Sequence, residues 1–266
     1  MKTTLTLTPE LEKHFSKSSD CFEQIMAKTG EVYRELEGRR TQRVFLGENA
    51  YFIKQHFGVG WKEIFKNLLQ LRLPVLSAKN EWLALSCLQK LSVCIPEVIG
   101  YGRRGVNPAK MQSFLITREL PKNISLEDFC KHWRQCAPSF TVKQRLIKEI
   151  ARIARTLHVN GINHRDFYIC HFLLDIEELL KSQVKLYLID LHRAEVRYRT
   201  PKRWVIKDLA GLYFSSKDIG LTKRDLLRFI LEYRNKSSLK DILDKESTFW
   251  FKVKKRGETL YRKHEQ

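Results

Sequence analysis

Between residues 161 and 174 the chain reads Gly161-Ile162-Asn163-His164-Arg165-Asp166-Phe167-Tyr168-Ile169-Cys170-His171-Phe172-Leu173-Leu174. The run begins where a long amphipathic helical pattern, residues 142–160, stops at a glycine. It ends in a short apolar stretch, residues 172–174, that is typical of a strand. The sequence therefore predicts a tight loop at His164-Arg165-Asp166, with a carboxylate suited to accept a proton from a hydroxyl.

Three further residues, on either side of this loop, complete an ordered set. Asp190 ends an apolar strand-like run 24 residues after Asp166, and Lys54 ends a strand-like run upstream. Glu81 lies near the start of a predicted helix, 27 residues after Lys54. Each residue alone has an ordinary structural explanation. Together, the order strand lysine, helix glutamate, HRD loop and strand aspartate favours a protein-kinase-like phosphotransferase.

Such a fold assigns each residue a role that its chemistry suits. Phosphoryl transfer needs positioning and charge neutralisation more than covalent help. Lys54 is expected to bind the α- and β-phosphates of ATP, and Glu81 to hold that lysine in place. Asp190 is a hard oxygen ligand suited to Mg²⁺. Asp166 is expected to orient the acceptor hydroxyl and take its proton, with Arg165 bracing the loop.

Four more residues are candidates by position. The first predicted hairpin has one glycine followed by Arg39 and Arg40, which could cover phosphates with backbone and charge. Glu119, beside the predicted joint of two lobes, is assigned with them to nucleotide binding. His164 is assigned to the catalytic set as part of the loop motif.

Departures from the protein-kinase pattern narrow the class. His171 stands five residues after Asp166, where protein kinases place a metal-binding Asn, and imidazole is a poor ligand for Mg²⁺. His171 is kept as a metal candidate that could instead orient a water or phosphate, or simply pack. No GxGxxG, DFG or APE motif is present. A small-molecule or glycan kinase is therefore favoured over a protein-substrate kinase.

The distribution of predicted elements indicates an α+β protein with two lobes. Strands come first, with helices 61–73 and 78–91 among them, and helices dominate from residue 204 onward. We predict an N-terminal extension over residues 1–28, a small antiparallel-sheet lobe over 29–120, and a mainly helical lobe with a basic tail over 121–266. The predicted strands of the first lobe are residues 32–36, 41–46, 50–54, 98–102 and 114–117.

Charge is the one extreme of the composition. The chain has 49 Lys and Arg against 30 Asp and Glu, a net charge of +19, and residues 181–266 alone carry 22 basic and 11 acidic side chains. Such a balance favours a polyanionic partner: nucleic acid, an anionic membrane face or a phosphorylated substrate. The longest stretch without a charged residue is 156–164, far shorter than a membrane span. Because the first thirty residues also lack the apolar core of a secretion signal, a soluble, non-exported protein is expected.

The run 161–174 closely resembles the bacterial lipopolysaccharide core heptose(I) kinases, the WaaP/RfaP family. The resemblance extends over about residues 31–241, and the His171 departure belongs to the family pattern. Asp208 resembles the kinase aspartate that ties down the catalytic loop, although it could simply cap a helix. Further matching segments are residues 31–37, 39–41, 66–69, 74–76, 81–82, 189–194, 203–204, 207–209 and 211–216.

The resemblance implies an activity, cofactors and partners. Members transfer the γ-phosphate of ATP, with Mg²⁺, to the first heptose of the lipopolysaccharide inner core, at the cytoplasmic face of the inner membrane. The acceptor is a phosphorylated lipid A–core glycolipid, and an acylated acyl carrier protein is implied as a further partner. The cytoplasmic, peripheral location also accounts for the charge, since each basic residue near an anionic membrane contributes about 1 kcal/mol.

Several surface groups are candidates for these contacts. The helix over residues 61–72 could meet the membrane or pack within the first lobe. Basic candidates for the membrane face are Arg193, Arg197, Arg199, Lys202 and Arg203. Aromatic candidates for stacking on sugars are Tyr168, Tyr198 and Trp204, although packing in the core is the more ordinary role for any one of them.

Three alternatives stay open. One is a kinase of the same fold for another acceptor, such as a keto-sugar acid, a protein or a small molecule like an aminoglycoside. Another is a basic nucleic-acid-binding protein, which would lose affinity steeply between about 50 and 200 mM salt. A third is a pseudokinase scaffold. Since no nucleic-acid-binding motif is present and all four core positions are filled, nucleic acid is not expected as a partner, and a scaffold is disfavoured.

Overall fold

A computed structural model describes residues 2–16, 19–36, 38–69, 74–136, 138–236 and 238–265. The chain divides into two units. The first unit comprises Met1–Ser86 and Pro96–Leu120, and the second comprises Cys87–Ile95 and Pro121–Gln266.

A six-stranded antiparallel sheet is the framework of the first unit, with strand order β1-β5-β6-β4-β3-β2. Alternation along β3 and β4 buries Val44, Tyr51 and Ile53 on one face, and the register sets Thr41 opposite Lys54. The predicted meander of β2, β3 and β4 is confirmed. The strands are β1 Thr3–Leu7, β2 Glu31–Leu36, β3 Arg39–Leu46, β4 Asn49–His56, β5 Val98–Arg104 and β6 Gln112–Arg118.

The helices that accompany this sheet in the described part of the chain are α1 Pro9–Glu12, α2 Cys21–Met26, α3 Gly60–Leu69 and α4 Lys79–Lys90. The last positions of the helix predicted over 61–73, residues 70–73, lie outside the described part of the chain.

Residues 1–28, which the sequence suggests as an extension, contribute β1, α1 and α2 to the first unit. Leu11, Phe22 and Ile25 are at most 1% exposed, in one core cluster with Val44 and Phe114. These elements are too short to show a hydrophobic period, so only their packing against the sheet reveals their place in the core.

The second unit is mainly helical, and the long helix predicted over 142–160 is α6. Its helices are α5 Leu126–Cys130, α6 Phe140–Val159, α7 Ile176–Leu180, α8 Lys202–Ser215, α9 Lys223–Arg234 and α10 Leu239–Glu265. Its strands are β7 Asn123–Ser125, β8 Ile162–Asn163, β9 Phe172–Asp175, β10 Leu186–Leu188 and β11 Glu195–Val196. They form two antiparallel sheets, β10-β9-β7 and β11-β8.

The loop that follows α6 is fixed by a close backbone approach. Gly161 has φ +77°, and a Cβ placed there would lie 1.8 Å from the carbonyl oxygen of Arg197. The Arg197 N–H donates to the Gly161 carbonyl at 2.9 Å, and Glu195 pairs with Asn163 in the β11–β8 ladder. Only glycine fits this position, so the start of the HRD loop is anchored to β11.

No helix within the described ranges combines the length and the apolar character needed to cross a membrane.

Candidate active site

The lysine and glutamate singled out in the first unit form an ion pair. Lys54 Nζ lies 2.5 Å from Glu81 Oε1, and the Glu81 side chain is 5% exposed. Lys54 projects from β4 on the same face as Thr41 of β3, while α4 presents Glu81 from its first turn. Because the carboxylate is buried and the lysine is more accessible, the pair presents an oriented ammonium for an anion.

The other nucleotide candidates of this unit fall into two groups. Strand alternation sets Arg39 and Glu119 on the Lys54 face, and burial lowers the pKa of the Arg39 guanidinium. Arg40 lies on the opposite face of β3, where Nη2 pairs with Glu35 at 2.6 Å. Glu119 is ion-paired at 2.8 Å with Arg43. Sequence reasoning missed Arg43. Its only signal is that it lies two residues after Thr41 on the same strand, and therefore on the face of the sheet that carries Lys54.

Asp166, in the second unit, is held by an arginine from a distant part of the chain. Nη1 of Arg193 donates to both carboxylate oxygens of Asp166, at 2.9 and 3.1 Å. The two residues are 27 positions apart, and Arg193 is the last residue of a 3-10 turn, Leu191–Arg193, that directly follows Asp190. The loop after β10 therefore orients the carboxylate of the HRD loop.

The backbone of the HRD loop is tied down by Asp208 on α8, as expected from the resemblance. This fully buried carboxylate accepts the N–H of His164 at 2.7 Å and the N–H of Arg165 at 2.8 Å. Arg165 adopts the left-handed conformation with φ +74°, a strained state for a residue other than glycine. Two charge-assisted hydrogen bonds to one buried acceptor hold this turn in place.

The Arg165 side chain contacts Trp204 of α8 and Glu195 of β11. Its guanidinium lies 4.4 Å from the ring centroid of Trp204 and its Nη1 3.6 Å from Glu195 Oε1. Burial lowers the pKa of Arg165, and the Glu195 carboxylate opposes that shift. Glu195 also pairs with Arg197. Arg165 thus locks the HRD loop to β11 and α8.

His164 is structural rather than reactive in this arrangement. The side chain is fully buried, its Nε2–H donates to the carbonyl of Ile189 at 3.0 Å, and its ring stacks on His171 with centroids 5.6 Å apart. Burial lowers the pKa of His164, and the charge of Asp208 opposes the shift. A neutral imidazole with no exposed face positions the loop but does not reach a substrate.

Asp190, the metal candidate, stands at the end of β10 in the left-handed conformation with φ 60°. Its carboxylate faces two imidazoles: His192 Nδ1 at 2.5 Å from Oδ1, and His171 Nε2 at 3.4 Å from Oδ2. The other nitrogen of His171 donates to the backbone carbonyl of Asp166 at 2.7 Å. His171 therefore connects the backbone of Asp166 to the carboxylate of Asp190.

Three surface candidates chosen from the sequence have partners within the chain. Arg193 and Arg197, candidates for the membrane face, are ion-paired with Asp166 and with Glu195, respectively. Trp204, a candidate for stacking on sugars, carries cations on its ring. The cationic groups of Arg165, Arg203 and Lys207 lie 4.4, 5.3 and 5.5 Å, respectively, from the centroid of the Trp204 ring. Sequence spacing could not show these pairings because they join segments that meet only in the folded chain.

Two apolar features lie outside the HRD loop. In the second unit a cavity of about 590 Å³ is lined mostly by apolar side chains, among them Trp133, Ile150 and Leu212. In the first unit α3 buries Ile64 but exposes its other apolar residues, which are Trp61 (50%), Phe65 (58%), Leu68 (46%) and Leu69 (86%).

Comparisons with known proteins assign this arrangement to a family. A lipopolysaccharide core heptose(I) kinase WaaP of Pseudomonas aeruginosa is 44% identical over 260 residues, 96% of this chain and 97% of that protein. The protein of the same name from Escherichia coli K12 is 48% identical over 218 residues, 82% of each chain. A solved structure of "WaaP in complex with acyl carrier protein" is 39% identical with a TM-score of 0.84, covering 97% of this chain and 99% of that one.

The solved structure confirms the prediction of a two-lobed, kinase-like α+β fold. The model of the lipopolysaccharide kinase (Kdo/WaaP) family matches residues 23–233. With this match over most of its length and relatives at 44–48% identity, the chain belongs to the lipopolysaccharide kinase (Kdo/WaaP) family.

Proposed function

We propose that this protein transfers the γ-phosphate of ATP to the first heptose of the lipopolysaccharide inner core. The observation that carries the proposal is the carboxylate of Asp166, oriented by Arg193 in a loop tied to Asp208, in a chain whose relatives are named heptose(I) kinases. Such a carboxylate can orient a sugar hydroxyl and take its proton as the new bond to phosphorus forms.

Each unit supplies part of the chemistry. Lys54, held by Glu81, binds the α- and β-phosphates of ATP, and Arg39 adds positive charge on the same face of the sheet. Arg165 and His164 hold the HRD loop, so Asp166 keeps its orientation during transfer. Glu119 acts through Arg43, and Arg40 is left outside this set because it pairs with Glu35 on the other face.

Asp190 would hold Mg²⁺, which would supply neutralisation of the phosphate charge. Proteins commonly hold Mg²⁺ with one or two carboxylates, while phosphate oxygens and water complete its shell. Within the described ranges no group of three or more acidic, histidine or cysteine side chains is arranged to hold a metal. We assign His171 to orienting Asp190, because imidazole is a poor ligand for Mg²⁺ and its Nε2 lies 3.4 Å from Asp190 Oδ2.

The test of the transfer reaction is mass spectrometry of unphosphorylated lipopolysaccharide core incubated with protein, ATP and Mg²⁺. We expect one added phosphate on the first heptose. The Asp166→Ala protein should fold, bind ATP and add none, because the acceptor loses its orienting base. A phosphate on another sugar, or normal turnover by folded Asp166→Ala protein, would contradict the acceptor or the mechanism respectively.

We also propose that the protein acts at the cytoplasmic face of the inner membrane, bound peripherally through α3. This helix exposes indole, phenyl and leucine side chains beside Lys62 and Lys66, the composition of a helix that lies in a lipid interface. Flotation with vesicles containing anionic phospholipid should recover the wild type. The double variant Trp61→Ser, Phe65→Ser should stay in the dense fraction, whereas Phe251→Ser, which removes an equally exposed ring from α10, should still float.

A further partner we propose is an acylated acyl carrier protein. The solved relative is a complex with acyl carrier protein, and the cavity in the second unit has the size and apolar lining of a site for an acyl chain. The basic surface suits an acidic carrier. Mass spectrometry of the purified complex should detect the acyl group on the bound carrier protein. Ile150→Trp fills the cavity and should abolish binding of the acylated carrier. Undiminished binding of acylated carrier to a folded Ile150→Trp protein would contradict this role.

A further inference from the structure

Lys207 is a half-buried cation that none of the roles above uses. It precedes Asp208 on α8, and its Nζ lies 5.5 Å from the ring centroid of Trp204. Among the described residues no carboxylate lies within ion-pair distance of its ammonium. Burying a charged group without a counterion is costly. A half-buried ammonium without a carboxylate partner is therefore suited to bind a negatively charged group of a ligand.

The surroundings of Lys207 place it with Asp166 and Arg193. Burial lowers the pKa of Lys207, the positive charge of Arg193 lowers it further, and the negative charge of Asp166 partly opposes both effects. Its backbone neighbour Asp208 binds the N–H groups of the HRD loop. The lysine is thus fixed beside the loop that carries Asp166.

Arg193 has donors to spare at the same place. Both of its hydrogen bonds to Asp166 leave from Nη1, and its side chain is 36% exposed. Nε and Nη2 have no partner among the described residues. A guanidinium presents its donors in a planar fork that matches two phosphate oxygens. Arg193 can therefore hold Asp166 and bind a phosphate group at once.

We propose that Lys207 and Arg193 together bind the phosphate group that is being transferred, beside Asp166. The inference rests on the proposed kinase function. As the acceptor oxygen bonds to the γ-phosphorus, the bond to the β,γ-bridging oxygen breaks and ADP leaves. The hydroxyl proton passes to the Asp166 carboxylate. Lys207 and Arg193 offset the charge on the equatorial phosphoryl oxygens during this step, as cationic residues do in other phosphoryl-transfer enzymes.

The first test measures binding of ADP with and without aluminium fluoride, a mimic of the transferring phosphoryl group, in the presence of Mg²⁺. Calorimetry should show wild-type ADP affinity for Lys207→Met. The extra affinity gained with aluminium fluoride should fall by about 10²-fold, the usual loss for one transition-state donor. Arg193→Gln should behave alike, Lys207→Arg should retain part of the gain, and the exposed Lys252→Met on α10 should match the wild type. If aluminium fluoride increased the ADP affinity of Lys207→Met as much as that of the wild type, the proposal would be overturned.

The second test distinguishes binding of the phosphate group that is being transferred from binding of a phosphate already present on the acceptor. It compares the kinetics with phosphorylated and dephosphorylated core acceptors. If the transferred group is bound, Lys207→Met lowers kcat by a similar factor for both acceptors and leaves the acceptor KM unchanged. A rise in KM confined to the phosphorylated acceptor would overturn the proposal, since Lys207 would then bind a phosphate already on the acceptor. If the wild type modified a different sugar while the aluminium fluoride result held, the acceptor assignment would fail and this inference would stand.

A thermal melt excludes a merely structural role. Because Lys207 is half-buried with no carboxylate in ion-pair distance among the described residues, Lys207→Met should melt at or above the wild-type temperature while losing activity. A melting temperature that falls together with activity and aluminium fluoride affinity, and that Lys207→Arg does not restore, would indicate a packing role instead.

Discussion

Asp208 controls the HRD loop through backbone N–H groups, so its effect reaches Asp166 without contact between the two carboxylates. It is fully buried, and each of its two oxygens accepts one N–H of the loop, from His164 and from Arg165. Arg165 needs this support because its positive φ is unfavourable on its own.

We expect Asp208→Asn to destabilise the protein by about 1–3 kcal/mol, because an amide NH₂ would face one of the two donors. The kcat should fall as well, since the loop loses its fixed geometry. Urea denaturation and steady-state kinetics measure the two effects, and Asp218→Asn, which alters an exposed ion pair with Arg134, serves as the control. Unchanged stability of Asp208→Asn would contradict this account.

Glu81 acts at the same scale by orienting the ammonium of Lys54. Glu81→Gln keeps a hydrogen-bond acceptor but removes the charge, so we expect the KM for ATP to rise about tenfold while the acceptor KM is unchanged. Glu97→Gln, which removes an exposed partner of Arg118 in the same unit, should leave both constants as they are. A rise in the acceptor KM alone would show that the pair serves another substrate.

At the scale of the element, the start of α9 is a charged capping box. The Thr222 side chain accepts a hydrogen bond from the Asp225 N–H, and the Asp225 carboxylate accepts one from the Thr222 N–H. This carboxylate is 3% exposed and also accepts hydrogen bonds from Lys143 and Arg228. Burial raises the pKa of Asp225, but the hydrogen bonds from Thr222 and Lys143 outweigh it and leave the pKa below its ordinary value. The carboxylate therefore contributes stability above the ordinary pKa of about 4, and this contribution is lost as the pH falls through the lowered value.

We expect Asp225→Asn to cost about 1–3 kcal/mol of unfolding free energy at pH 7. The difference from the wild type should shrink below about pH 4, where the Asp225 carboxyl of the unfolded chain begins to protonate, and should vanish as the pH falls through the lowered pKa of the folded protein. Urea titrations at a series of pH values measure it, with exposed Asp241→Asn on α10 as the comparison. A difference that stays constant with pH would assign the effect to shape rather than charge.

At the scale of the whole molecule, the chain before β2 is part of the first unit's core. Deleting residues 2–28 would uncover the apolar face that Leu11, Phe22 and Ile25 cover, and would remove both acidic partners of Arg104. We expect the shortened protein to aggregate because this uncovered face is contiguous. Deleting residues 2–7 alone removes a mostly exposed edge strand and should leave a soluble protein with a lowered melting temperature. Light scattering and thermal melts distinguish the two.

The sequence predicted those features of the fold and of the candidate site that depend on a local pattern of residues. Alternation revealed β3 and β4, amphipathic spacing revealed α6, and motif order revealed Lys54, Glu81 and Asp166. The two-lobed fold followed from that order, because the same residues must sit on particular elements in a kinase-like protein.

What could not be predicted depends on long-range pairing. β1 and α2 are short and become meaningful only through the sheet and the core that they join. The ion pair between Arg193 and Asp166 joins residues 27 positions apart and appears in no local pattern, so the sequence named Arg193 only as a candidate for the membrane face. Lys207 lies in a segment that resembles the family, but no role for its side chain could be predicted, since a lysine on an amphipathic helix is normally solvated.

The backbone approach at Gly161 has a consequence for genetics. Its positive φ and the Arg197 carbonyl 1.8 Å from any added Cβ exclude all other amino acids at this position. In a saturation mutagenesis screen for kinase activity, position 161 should tolerate as few alleles as Asp166, although glycine carries no functional group. A map of inactive alleles would therefore mark a fixed point of the backbone and the Asp166 carboxylate with equal strength, and only purified proteins would distinguish the two.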